Sequence, residues 1–256
     1  MRNAPTFSII TACLNSERYI QQTIESVAAQ VDVTCEHIIV DGGSSDRTLE
    51  IVRDSLPASG RCISGPDSGI AEAMNKGIAL ATGEWLLFLQ SDDYLFNSET
   101  LKSAFKHFHS DVDICGFPVL FGSGGALRLV HPRGAGPWLN FKTGFNHQGT
   151  FIRRSLFDRL GGYDTSFKIA MDYELFLRVL RSGGLFEWHA APVISVMRDS
   201  GISSQLDWPN LSRRLREEKR AHEMHQTAAL WLPYKLWWSL YPSYRRVRSG
   251  RNPSET

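Results

Sequence analysis

Short apolar runs alternate with longer stretches of helical period through the first hundred positions of the chain. Phe7–Ala12 has the length and character of a strand. Asn15 or Ser16 then offers a cap for a helix whose Ile20, Ile24, Val27 and Ala28 recur at the helical spacing. His37–Asp41 (HIIVD) predicts a second strand, and the turn GGSSD leads into a helix carrying Leu49 and Val52. Cys62–Ser64 predicts a third, short strand. Ile70, Met74 and Ile78 line one face of a helix expected to run to Gly83. Trp85–Leu89 (WLLFL) is apolar without interruption, the pattern of a parallel strand covered on both faces. This alternation predicts an α/β fold, a mostly parallel sheet with right-handed crossovers and flanking helices.

Ligands of such sheets sit outside the carboxyl ends of the strands. The polar residues gather there: Thr11 and Asn15 after the first strand, Asp41 at the end of the second, Asp67 after the third, Asp92 and Asp93 after the fourth. Taken singly, each Asp fits a turn or a helix cap. Together on one edge they predict a site. Adjacent carboxylates repel and stay ionised only beside a cation or hydrogen-bond donors. Asp92–Asp93 is therefore a candidate for a hard divalent cation, Mg²⁺ or Mn²⁺, bridging to a diphosphate. Gly42–Gly43 lets backbone approach a ligand closely, and Asp41 suits the ribose or base of a nucleotide. Neither GxGxxG nor GxxxxGK[ST] follows the first strand, which disfavours a dinucleotide oxidoreductase and a P-loop NTPase.

Composition narrows the class. With 256 residues, 42% hydrophobic and 21% charged, the chain can bury a real core and is not a disordered protein. Its 28 basic against 27 acidic groups argue against a nucleic-acid partner. No apolar run is long enough to span a membrane, and Phe7–Leu14 is too short and polar for a signal peptide, so a cytoplasmic place is expected. Cys13, Cys35, Cys62 and Cys115 are widely spaced without a CxxC pair, fitting neither a zinc site nor a disulfide framework; reduced thiols are expected.

Charge divides the chain. Residues 1–204 hold 18 basic and 22 acidic groups; residues 205–256 hold 10 and 5, with four of the seven tryptophans. A main domain over 1–204 and a basic, aromatic helical appendage over 205–256 are predicted. Residues 210–229 read as a charged helix. Residues 231–248 can lie in a membrane interface on the inner face, or pack their tryptophans on the main domain or a second subunit.

The segments FSIITACLNSERYIQQTIESV, HIIVDGGSSDRTLEIV, GPDSGIAEAMNKGIALATGEWLLFLQSDD, HQGTFIRRSLFDRLGGYD and MDYELFLRVL resemble family 2 glycosyltransferases of the GT-A fold, over residues 5–204. The resemblance implies inverting transfer of a sugar from a nucleotide-sugar donor, a UDP-sugar by family frequency, to a saccharide or lipid-linked saccharide acceptor. It further implies that Thr11, Asn15 and Asp41 hold the nucleoside, that Asp67 contacts the nucleotide and that Asp92 faces ribose or donor sugar. Asp93 would bind the metal, and Asp172 would be the general base. Glu174, in the same first turn, would serve the helix dipole. His147 and Gln148, expected to open a strand, fit an acceptor or donor-sugar pocket, though a buried structural histidine fits as well. Two departures stand out. Ser91 replaces the first Asp of a DxD motif, and Met74 stands where many relatives carry Arg, leaving Lys76 to supply positive charge. Arg153 and Arg154 read as solvated, and Arg198 as able to close over the pyrophosphate. The QxxRW signature of processive synthases is absent, which favours single-sugar transfer. Two alternatives remain at this stage: a sugar-phosphate nucleotidyltransferase, and a non-catalytic nucleotide-sugar or carbohydrate binding module.

Overall fold

A computed structural model describes residues 6–124, 126–199 and 207–249. The first half alternates β1 (Phe7–Cys13), α1 (Ile20–Ala28), β2 (Cys35–Asp41), α2 (Thr48–Ser55), β3 (Arg61–Ser64), α3 (Ile70–Leu80) and β4 (Trp85–Phe88). β5 (Tyr94–Leu95), α4 (Thr100–Phe105), β6 (Ile114–Gly116), β7 (Val119–Phe121) and β8 (Arg128–Val130) come next, followed by β9 (Thr150–Arg153), α5 (Arg154–Leu160) and α6 (Met171–Arg181). The chain closes with β10 (Phe186–Trp188), β11 (Ser195–Met197), α7 (Trp208–Met224) and α8 (Trp231–Ser249).

Seven strands form the main sheet in the order β10-β6-β9-β4-β1-β2-β3. β1 pairs in parallel with both β2 and β4, and its seven residues are all buried. Its side chains alternate: Ile10 and Ala12 enter the core beneath α3, α5 and α6, while Phe7 and Ile9 enter the core on the other face, with Trp85 and Leu87. Close approach explains two glycines. A Cβ on Gly77 would fall 2.4 Å from Ile10 Cγ2, so only glycine lets α3 lie on β1. A Cβ on Gly83 would fall 2.6 Å from the backbone of Phe7 and Ser8, where the loop into β4 crosses β1. The apolar face of α1 buries Ile20, Ile24 and Val27, as its spacing predicts.

Several expectations are corrected. Neither Asn15 nor Ser16 caps α1, whose preceding residue is Tyr19, because Asn15 is engaged in a loop contact described below. α3 ends at Leu80, short of Gly83. β3 is exposed, as befits the edge of the sheet. β9 runs antiparallel between β4 and β6, and a second sheet, β5-β11-β7-β8, stands beside the first. The 204/205 boundary lies outside the described residues. The charged helix runs over Trp208–Met224, and Asp207 caps it by accepting from the Asn210 amide at 3.1 Å.

α7 and α8 are seated on the sheet domain. Glu218, buried on α7, pairs with Lys142 at 2.6 Å and Arg214 at 3.0 Å. His222 accepts at Nδ1 from Trp238 (2.9 Å), so its Nε2 bears the hydrogen and donates to the Tyr173 hydroxyl (2.7 Å), which donates on to the Leu139 carbonyl (2.9 Å). Burial holds this imidazole down at about 4, neutral at physiological pH. Tyr234 stacks on it at 4.4 Å, and Trp237 packs against Trp138 and Phe141. The tryptophans at 237 and 238 thus face the domain.

Candidate active site

Three strand-end loops are sewn together at the carboxyl edge of β1, β2 and β3. Asn15 takes the left-handed conformation (φ 50°), which asparagine tolerates better than most residues. Its amide donates to Ser44 Oγ at 2.8 Å, and its side-chain oxygen accepts from the Ser45 amide at 2.9 Å. Asp41 is fully buried and accepts from the Gly43 and Ser44 amides, the Ser44 hydroxyl and, at 2.7 Å, the Ser64 hydroxyl. Burial pushes its carboxyl up, but these donors outweigh it and hold the group below the usual carboxylate range. Asp67 accepts from the Gly69 amide at 2.9 Å and leans over Gly42, where a Cβ would meet its carboxylate at 2.8 Å. Thr11 lies apart from this edge, buried with its hydroxyl 2.9 Å from His37 Nε2. Its position inside β1 turns it inward. Lys76 pairs with Glu72 at 3.0 Å and donates to the Pro66 carbonyl at 3.0 Å.

The turn after β4 joins the same edge. Ser91 Oγ lies 2.8 Å from Ser16 Oγ, and Thr23 of α1 donates to the Ser91 and Asp93 carbonyls. Asp93 is 2% exposed. One of its oxygens accepts from the Arg198 amide at 2.8 Å, and the nearby Gln148 side chain favours its ionised form. Burial and the neighbouring Asp92 charge push it up to about 8, against the pull of Arg198 and Gln148. The Arg198 side chain is committed locally: its guanidinium donates to the Asp92 carbonyl and Gln22, over the rings of Tyr19 (4.2 Å) and Tyr94 (5.0 Å). Arg198 thus braces the Asp92–Asp93 turn.

On the far side, His147 and Gln148 form a 3-10 turn ahead of β9 instead of opening the strand. They diverge. His147 is buried, stacked on Phe88 at 4.9 Å and 2.7 Å from the Tyr163 hydroxyl, with burial holding it down at about 3. Gln148 reaches Asp93. Tyr163 is clamped in turn by Asn75, which accepts from its amide and donates to its carbonyl, each at 2.8 Å. Burial first, and the charge of Asp172 second, raise the Tyr163 phenol well above its ordinary value. His147 thus ties Tyr163 to the turn that carries Gln148, and the Asp172 charge is felt at the Tyr163 phenol.

Asp172 is the second residue of α6, inside the helix instead of capping it, with its carboxylate accepting from the Tyr173 amide at 2.7 Å. Desolvation raises its pKa against that hydrogen bond and the charge of Arg214. The approach to α6 is held from α7: Glu217 accepts from the amides of Lys168 (3.0 Å), Ile169 (2.8 Å) and Ala170 (2.8 Å). Glu174 does not simply face the helix dipole; it is buried and paired with Arg178 and His225, each at 2.9 Å. Arg153 is likewise not a solvated side chain: it pairs with Glu84, lies over Trp85 at 4.4 Å and donates to the carbonyls of Val112 and His109.

Sequence reasoning missed Asn75, Tyr163, Glu217 and the Arg198 amide. Asn75 and Tyr163 had a signal, in the AMNKG and GGYD segments. Glu217 had none, because it acts across 47 to 49 residues on backbone amides.

A mainly parallel α/β sheet carrying these carboxylates at its strand ends is a GT-A-type fold, and the solved structures agree. A mannosyltransferase from Pyrobaculum calidifontis, solved with GDP-Man and Mn²⁺, superposes with a TM-score of 0.71 at 17% identity, covering 97% of this chain and 74% of that one. S. aureus TarS (residues 1–349) in complex with UDP gives 0.66 at 22% identity, covering 86% of this chain and 65% of that one, just under two thirds of its length. The chain belongs to glycosyl transferase family 2, whose profile matches residues 8–173, and is a glycosyltransferase. It is 34% identical over 208 residues to a PGL/p-HBAD biosynthesis glycosyltransferase of Mycobacterium bovis, covering 77% of this chain and 78% of that protein.

Proposed function

We propose that the protein is an inverting, cation-dependent transferase that moves one sugar from a UDP-sugar to the hydroxyl of a saccharide or lipid-linked saccharide acceptor, in surface polysaccharide or glycolipid assembly. The reading rests above all on membership of glycosyl transferase family 2 together with two carboxyls, Asp93 and Asp172, each raised by burial. The neighbouring carboxyls of Asp92 and Asp93 fit a hard cation: burial and like charge hold a proton on Asp93 that a cation would displace. Such a cation, when bound, neutralises charge gathering on the departing diphosphate. Gln148 and the Arg198 amide aim the Asp93 carboxyl. The loops of Asn15, Gly42–Ser45 and Asp67 would receive the nucleoside, with Asp41 shaping them from beneath and Asp92 facing ribose or sugar.

Asp172, once ionised, takes the proton of the acceptor hydroxyl as its oxygen bonds to the anomeric carbon and the carbon–diphosphate bond breaks on the opposite face. Its raised pKa makes it a stronger base than a solvated Asp. His147, neutral and fixed, sets Tyr163 beside it. The UDP donor is supported by the TarS complexes, and a polymeric or lipid-linked acceptor by the poly(ribitol-phosphate) in the name of a Staphylococcus aureus relative. α8 supports contact with an anionic membrane surface. Its inner face is docked through Tyr234, Trp237 and Trp238, while Leu236 and Leu240 stand 57% and 70% exposed and Leu232 and Val247 continue the stripe. The helix carries four basic residues and no acid. Among the described residues, no helix is long and apolar enough to cross a membrane.

A thermal-shift panel of UDP-, GDP- and dTDP-sugars with and without Mn²⁺, followed by NMR of the product anomer, tests the reading. Cation-dependent stabilisation by a UDP-sugar and an inverted product are expected. Donor binding independent of cation, or a retained anomer, would overturn it.

A further inference from the structure

We propose that Cys115, Glu187 and His189 form a second metal site, of the zinc class, at the β6–β10 margin of the sheet. β6 and β10 pair in parallel with Cys115 opposite Glu187. Paired residues of neighbouring strands share a face, and His189, two positions beyond Glu187, returns to that face. The pairing register alone therefore collects a thiol, a carboxylate and an imidazole. Their donor atoms all lie within 4.8 Å of one another, and Glu187 Oε2 stands 3.7 Å from His189 Nε2. Two ligands of one tetrahedral zinc are separated by about 3.3–3.8 Å, given metal–ligand bonds of about 2.0–2.3 Å.

A second observation points to a ligand. Glu187 Oε2 and His189 Nε2 are both shielded from water and make no hydrogen bond. A polar atom buried without a partner is costly, and two facing each other are explained by a cation between them. The His107 ring lies 4.4 Å from that of His189, and Phe117 stacks on His189 at 5.1 Å, so the imidazole is packed between aromatic rings; a water would complete the tetrahedron. The mixture of sulfur, nitrogen and oxygen suits zinc and excludes the oxygen-seeking Mg²⁺. β9 lies between β6 and β4, whose following turn carries Asp92 and Asp93, so this site is distinct from the proposed catalytic cation. Its effect is structural: it staples a three-residue edge strand to its neighbour.

The test uses the full chain carrying Asp93→Asn, stripped of metal and titrated with Zn²⁺ or Co²⁺ alone. One equivalent of Zn²⁺ should survive desalting, raise the Tm by about 5 °C or more, and be replaceable by Co²⁺ with a thiolate-to-cobalt absorption band. Cys115→Ser and His189→Asn should abolish the band and the retained metal. Glu187→Gln, a near-isosteric change at a half-buried position, should weaken retention at least tenfold with unchanged circular dichroism. No retained zinc, a cobalt spectrum without the thiolate band, or equal retention in a folded Glu187→Gln protein would each overturn the proposal.

Discussion

The two sides of the site are held in different ways. Around Asp41 the bonds are short in sequence or join consecutive strand loops: Gly43 and Ser44 are two and three residues away, and Asn15 meets Ser45 across a single β–α–β step. Around Asp172 the bonds come from afar. Asn75 holds Tyr163 across 88 residues, and Glu217 holds the approach to α6 from the C-terminal helices. The first side is a property of local turn chemistry. The second exists only once distant elements, α3 and α7 among them, are packed around it.

Substitutions can break this contrast. The largest effect is expected at the chemistry: Asp172→Asn should lower kcat by about 10³-fold, within the range of general-base removal, with the fold intact; initial rates at saturating donor check this. Next comes the seating of α7. Glu217→Ala strands three amides and should cost about 1–3 kcal/mol of stability and about tenfold in kcat, with partial rescue by Glu217→Gln; a substitution at Ser45 should instead move the KM for donor. Equal effects on kcat and KM at both sites would erase the distinction.

The pH dependence sharpens it. Because the folded pKa of Asp172 is raised by burial, the stability it contributes is full below the ordinary Asp range and is lost as pH rises through the raised value. Asp172→Asn should therefore melt higher than the wild type at pH 8 and alike near pH 3. Asp41 has the opposite sign, its donors supporting the fold above the ordinary Asp range and failing as pH falls through the depressed value. Asp41→Asn should destabilise at pH 8. The smallest expected effect is on stability at the α8 stripe: Leu236→Glu with Leu240→Glu should change it by under about 0.5 kcal/mol, yet abolish sedimentation with anionic vesicles.

What was legible follows the same division. The β1–β4 half could be read because its apolar runs and helical periods recur within a few residues, and its acids fall at strand ends by the rule of parallel sheets. The antiparallel β9 could not be read from period, since strand direction is set by where the chain re-enters the sheet. His147 and Gln148, adjacent in sequence, part ways because the 3-10 turn sends one ring onto Phe88 and the other side chain to Asp93. Thr11 looks like its polar neighbours in sequence but is turned inward by the pleat of β1.

The sequence by itself determined the alternating α/β order, the acids at the carboxyl ends of the strands and the family, because these depend on neighbours within a turn or a strand. Tertiary structure alone decided that burial would raise Asp93 and Asp172, that Arg198 would brace the Asp92–Asp93 turn, and that α7 would hold the approach to Asp172. Desolvation and long-range hydrogen bonds depend on what lies nearby in space, and chain order does not record that.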